Sequence, residues 1–164
     1  MSVPTLLVTG ASGHLGRAVV RHLLDTLNID PARVIATSRK PEALADLAAQ
    51  GVTVRAADFD RPDTLAEAFR GADRLLLVST DALLEPGKRL VQHRAAVQAA
   101  VEARVKHVVY TSLPSPDTSH VSFAPDHLGT EQALAASGLG WTFLRNAWYA
   151  ENLAYALPSA LASG

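Results

Sequence analysis

Six short apolar runs rich in Val, Ile and Leu alternate along this chain with five segments of helical period. The runs lie at 3–9, 34–38, 52–57, 74–79, 105–112 and 140–145, and several are apolar nearly throughout. A strand with one wet face alternates apolar and polar residues; a parallel strand covered by helices on both faces has no polar side. The segments between them, at 13–27, 41–50, 61–70, 88–103 and 125–137, carry helix-end signals. Pro41 suits a first helical turn, and Gly51, Gly71 and Gly138 stand where a helix C-terminus takes a left-handed residue. Leu15, Val19, Leu23 and Leu27 recur every four residues, with Val20 and Leu24 alongside, which predicts a stripe packed on a sheet. Short connections between alternating strands and helices give βαβ units with right-handed crossovers. The expected fold is α/β, a doubly wound parallel sheet in the order 3-2-1-4-5-6.

A chain of 164 residues, 48% of them hydrophobic, fills one such domain and is short for two. Its net charge of -1 supplies no basic field for sequence-independent binding of nucleic acid. No apolar run reaches the roughly 20 residues of a membrane span, and Pro4 and Thr5 lead straight into the first strand without a leader pattern. With no Cys there is neither a disulfide frame nor a thiolate metal site. The six His form no H-E-x-x-H pattern or local cluster with carboxylates, so no metal is expected. A cytoplasmic globular domain is the reading these features support.

Thr9-Gly10-Ala11-Ser12-Gly13-His14-Leu15-Gly16 follows the first run and opens the first helical segment. Gly10 permits a tight turn, Gly13 lets the backbone approach a pyrophosphate, and Gly16 lets helix and strand pack closely. Ser12, His14 and Leu15 lie in the same turn, at a helix N-terminus whose N–H groups and dipole favour phosphate. A structural turn is the bland alternative. The strand–turn–helix setting favours a dinucleotide on an NAD(P)-binding Rossmann fold. Where an NAD site would place a carboxylate after the second strand, this chain has Ser38-Arg39-Lys40. That basic corner suits a 2′-phosphate and hence NADPH over NADH, the alternative being a solvated basic turn. Topology sets Asp58 and Phe59 beside the adenine and Ser79 and Thr80 beside the nicotinamide ribose.

The turn 9–16, Ser38-Arg39, Ala57-Asp58-Phe59, Gln92-His93-Arg94, Tyr110-Thr111-Ser112-Leu113, Asp126-His127, Thr130-Glu131 and the run 144–152 span essentially the whole chain. Together they resemble the NmrA-like group of atypical short-chain dehydrogenases, and within it the bacterial NADPH:quinone oxidoreductases. Asn146 stands where NmrA-like proteins more often have Pro. The resemblance implies that Thr111 and Ser112 join the cofactor side and that Leu113 faces the substrate. Members of the group continue into a smaller substrate lobe. Residues 1–148 would then be the NADP-binding domain and 149–164 the start of the substrate-side helix, with the rest of that lobe absent.

Short-chain dehydrogenases use a Tyr with a Lys four residues later, and here the corresponding helix carries His127 and Glu131. Alcohol oxidation needs a base on the departing hydroxyl proton, so ordinary alcohol dehydrogenation is disfavoured. An electron-poor quinone accepts hydride readily, and catalysis can then be mostly alignment. His127 either hydrogen-bonds or protonates the acceptor, or it packs beneath the loop 113–124. Glu131 reads as solvated or as orienting His127. Asn146, Trp148 and Tyr149 follow the sixth strand at the ligand edge, as a wall for a flat ring or as an anchor for the last helix. The expected activity is hydride transfer from NADPH to a small-molecule quinone, with His127 and Asn146 as its catalytic residues. The alternative is a non-catalytic NADP-sensing regulator of the same group. A homo-oligomer is compatible with either.

Overall fold

The computed structural model describes residues 3–163. Its strands are β1 (Leu6–Val8), β2 (Val34–Ser38), β3 (Thr53–Ala56), β4 (Arg74–Leu77), β5 (His107–Ser112) and β6 (Gly140–Arg145). They form one sheet in the expected order β3-β2-β1-β4-β5-β6, every pair parallel. The helices are α1 (His14–Arg21), α2 (Ala45–Ala49), α3 (Leu65–Phe69), α4 (Lys88–Glu102), α5 (Ala124–Ala136) and α6 (Ala150–Ser163). Among the described residues no helix is long and apolar enough to cross a membrane.

Alternation along each strand sends neighbours to opposite faces, and in the central strands both faces are covered, while β3 and β6 at the edges are more exposed. Leu7, Ile35, Leu75, Leu77, Val108 and Tyr110 pack with Phe69, Ala96, Ala100 and Leu134 in one core. Val8, Val34 and Ala36 pack with Val20, Leu24, Leu44 and Leu47 in the other. That double burial is why the strands read as unbroken apolar runs.

β1 and β4 are shorter than their apolar runs because side chains replace the ladder at their ends. The Thr5 N–H donates to the Asp73 carboxylate at 2.8 Å. Val78 donates its N–H to Thr9 Oγ1 at 2.9 Å, and Ser79 donates its own to Thr111 Oγ1 at 2.8 Å. Both strands therefore release their chain at the carboxyl edge of the sheet, where the backbone turns outward and a cleft opens.

The first helix corrects the expected stripe. Gly16, Val20 and Leu24 face the sheet, Val19 and Leu23 only flank it, and Leu27 is 54% exposed. The cause is the approach at Gly16, where an added Cβ would stand 2.4 Å from the Gly10 carbonyl oxygen and 2.9 Å from Ala11 Cα. This contact turns the row one residue past the Leu15 row towards the strands. A wide π turn at His22–Thr26 then swings Leu27 outward, its N–H donating to the His22 carbonyl at 3.0 Å. A second close approach joins α4 to α5. A Cβ on Gly129 would meet Leu90 Cδ1 at 2.8 Å, so the missing side chain lets the polar faces of these two helices meet.

Gly16→Ala is expected to cost about 3 kcal/mol, the upper end for overpacking, since the blocking atoms are backbone and cannot swing aside. Urea unfolding of the two chains measures the loss. Equal midpoints would show that helix and turn separate freely.

Candidate functional site

The glycine-rich turn lies at the carboxyl edge between β1 and α1. Gly10 takes φ +60°, a conformation most side chains resist, and Gly13 donates its N–H back to the Gly10 carbonyl at 2.9 Å. Ala11 donates to the Thr37 carbonyl at 2.9 Å, tying the turn to β2. The α1 N-terminus thus points its backbone N–H groups and positive dipole end at the cleft.

The cleft is lined by Gly10, Ser12 and Gly13 from the turn, Ser38 and Arg39 after β2, Asp58 and Phe59 after β3, and Ser79 and Thr80 after β4. These nine were singled out from sequence, and four separate loops bring them together. His14, Leu15 and Gly16 are not among its lining residues; Gly16 sits behind the turn against Gly10. The Thr111 hydroxyl donates to Ser79 Oγ at 3.3 Å, and Ser112 turns its hydroxyl away to Glu131. The lining also includes Thr37, Asp81 and Gln92, which sequence reasoning missed. Gln92 lay within a quoted match, but nothing in helical spacing shows that a mid-helix amide reaches a cleft.

The basic corner is built from both sides. The hydroxyls of Ser12 and Ser38 share a hydrogen bond of 2.8 Å, and Ser38 Oγ accepts the Lys40 N–H at 3.0 Å. Arg39 reaches across to Asp81, 3.6 Å from guanidinium to carboxylate, with both side chains well exposed. The residues fit a dinucleotide in three ways. The turn has no Cβ where a pyrophosphate would approach, a guanidinium stands where a 2′-phosphate would lie, and the buried oxygens of Thr37, Thr80 and Gln92 Oε1 have no partner.

Beneath the cleft, α4, α5 and β5 enclose a polar cluster. Arg89 is buried, and arginine can only donate, so its Nη1 donates to His127 Nε2 at 2.9 Å. The His127 proton is therefore on Nδ1, which donates to Tyr110 Oη at 2.7 Å. The Thr80 N–H donates to His93 Nε2 at 3.0 Å, which puts that ring's proton on Nδ1, facing Thr130 Oγ1 at 2.9 Å. The Thr130 hydroxyl passes on to the Asp126 carbonyl at 2.6 Å. Each ring accepts at one nitrogen, so both are neutral. Burial, reinforced by the Arg89 charge, lowers His127 to about 4 and His93 to about 3. Burial likewise pushes the Tyr110 phenol above its ordinary value. The Arg89 cation also lies over the Phe123 ring, 4.9 Å from its centroid, and among the described residues it has no ion pair.

Glu131 is neither solvated nor bonded to His127. Its carboxylate, buried, accepts Ser112 Oγ at 2.7 Å and a two-pronged contact from Arg145, Nε at 3.0 Å and Nη2 at 2.8 Å. Burial alone would raise this carboxyl, but those bonds outweigh it and hold the pKa below the usual range. The clamp fixes the end of β6. Asn146 follows it, donating its N–H to the Ser112 carbonyl at 3.2 Å and its amide to Tyr149 Oη at 3.1 Å. Trp148 and Tyr149 are exposed at 71% and 41% beside it, and Leu113 is half-buried. Asn146 and His127 share no contact: one ends β6 at the surface, the other is closed in beneath the sheet edge.

Residues 10–157 match the model of a family described as NAD(P)H-binding. The chain belongs to the NAD(P)H-binding family. It is 42% identical over 159 residues to quinone oxidoreductase 2 of Escherichia coli K12, covering 97% of this chain and 54% of that one. An NmrA-like family domain-containing oxidoreductase of Aspergillus flavus is 38% identical over 149 residues, 88% of this chain and 48% of its own. Among solved structures, a triphenylmethane reductase of Citrobacter sp. complexed with NADP(H) superposes with a TM-score of 0.89 at 37% identity, covering 98% of this chain and 55% of that one. The chain spans about half the length of the curated relatives it matches.

The neutral histidines set a pH dependence. Once unfolded, both rings protonate near the usual 6.5, whereas in the folded chain they resist to about 4 and about 3. Below 6.5 the unfolded state binds more protons, so stability falls as the pH drops, by up to about 1.4 kcal/mol per unit for each ring. Urea midpoints at pH 7.5, 6 and 5 should decline steadily. A level midpoint down to pH 5 would require a charged ring inside the cluster.

Proposed function

We propose that this chain is the cofactor-holding part of an NADPH-dependent reductase that delivers hydride to a quinone. The observation that carries the reading is the state of His127: buried, neutral and hydrogen-bonded at both nitrogens, on a helix with no Tyr–Lys pair. Such a site lacks the base that alcohol oxidation needs and suits an acceptor that requires only alignment. The name of the Escherichia coli relative points the same way. A bound nicotinamide supplies the hydride, and one solvent proton completes the two-electron reduction of quinone to hydroquinone.

In this reading Gly10, Ser12 and Gly13 hold the pyrophosphate with the α1 N-terminus, and His14, Leu15 and Gly16 form the helix start behind them. Ser38 and Arg39 take the 2′-phosphate. Ser79 and Thr80 meet the nicotinamide ribose, with Thr111 and Ser112 fixing that edge from β5. Leu113, Asn146, Trp148 and Tyr149 receive the acceptor ring. His127 is a positioning residue that holds Arg89 and Tyr110.

Mixing the chain with NADPH and a small benzoquinone, and following nicotinamide absorbance, tests the activity. Consumption above the uncatalysed rate is expected, with a loss below about tenfold in His127→Ala; general acid catalysis would cost 10²–10⁴-fold. Tight NADPH binding without turnover would leave the sensing role instead.

Arg39→Asp is expected to shift the NADPH-to-NADH ratio of dissociation constants about tenfold or more towards NADH. One hydrogen bond to a charged group contributes about 1.5–3 kcal/mol, and the new carboxylate adds repulsion. Titrating both dinucleotides against both chains measures it. An unmoved ratio would hand the phosphate to Lys40 or another group.

A further inference from the structure

Gln92 is 92% buried in the second turn of α4. Its Nε2 donates to Asp60 Oδ1 at 2.8 Å. A carboxylate has no hydrogen to give, so Asp60 fixes which way the amide points. Oε1, on the other side of the amide, is left buried and without a hydrogen-bond partner, in a residue that lines the cleft. An acceptor buried without a donor costs stability that water or a ligand must return. Asp60 lies two residues beyond Asp58 and one beyond Phe59, the residues that close this end of the cleft after β3. Thr80 Oγ1, a second unpartnered buried oxygen, stands on the opposite lip after β4.

We propose that Gln92 reads the base of the dinucleotide: its oriented Oε1 accepts from the exocyclic amine of adenine and rejects a purine with an oxygen at that position. The inference deepens the dinucleotide reading of the cleft and rests on it. An adenine amine has hydrogens to give and satisfies the orphaned acceptor. A 6-oxo purine brings an oxygen against an oxygen, and neither can donate. Asp60, whose Oδ1 also pairs with Lys88 Nζ at 3.8 Å, is then a positioning residue, since it orients the amide and does not itself line the cleft.

The test compares NADPH with its hypoxanthine analogue, using nicotinamide fluorescence to obtain both dissociation constants for the 164-residue chain. The wild-type chain should favour NADPH by about tenfold or more. Gln92→Ala should bring the ratio close to one, because the acceptor is gone for both. Asp60→Ala, at an exposed position, should narrow the ratio by releasing the amide to rotate, and it serves if Gln92→Ala fails to fold. A wild-type ratio near one, or a ratio unmoved in whichever variants fold, overturns the proposal while leaving the cleft a dinucleotide site. A wild-type chain that binds neither dinucleotide overturns both.

Discussion

The contact between Gly16 and the Gly10 carbonyl holds the site together. With 2.4 Å between that oxygen and any added Cβ, α1 can lie on the turn only because residue 16 has no side chain. The same turn is tied to β2 through Ala11 and Thr37, and to β4 through Thr9 and Val78. Three walls of the cleft are therefore hung on one short loop. Loosening it would move the phosphate cradle, the basic corner and the β4 lip together.

Under that loop the protein accepts a buried cation. An unpaired charge inside a protein is costly unless hydrogen bonds replace its water. Arg89 receives a ring nitrogen from His127 and the face of Phe123. Keeping His127 neutral is the condition for this arrangement, since an imidazolium could not accept the arginine hydrogen. The chain His93–Tyr110–His127 is thereby a floor in which the Nδ1 hydrogens of both rings face the Tyr110 oxygen, joined to the cleft through the Thr80 backbone.

The sheet and most of the cleft lining were legible because they follow from local rules. Apolar runs of strand length, a glycine turn before a helix and the positions after β2, β3 and β4 are set by chain order alone. Contacts that depend on how helices rotate and approach were not. The 15/19/23/27 stripe gave way to 16/20/24 because one backbone contact outweighed side-chain periodicity. Glu131 read as solvated or as orienting His127 until α5 and β6 brought Arg145 onto it. Arg89 drew no reading from the sequence; its burial comes from the packing of α4 with α5, where His127 and Phe123 meet it. Gln92 lay within a quoted match, but its place on the cleft was not readable there, since its partner Asp60 belongs to another βα unit.

The pair of Arg39 and Asp81 leaves a consequence for ionic strength. Both side chains are largely in water, 64% and 84% exposed, so their mutual attraction is small and readily screened. In the proposed reading, a 2′-phosphate would compete with that carboxylate for the same guanidinium. Added salt weakens the attraction between guanidinium and phosphate, but it also weakens the hold of Asp81 on Arg39 and its repulsion of the newcomer. These effects oppose one another, and with a net charge of -1 the chain has no broad positive field to add to the first. Capture of a phosphorylated ribose at this corner should vary little between dilute buffer and the crowded electrolyte of a cell.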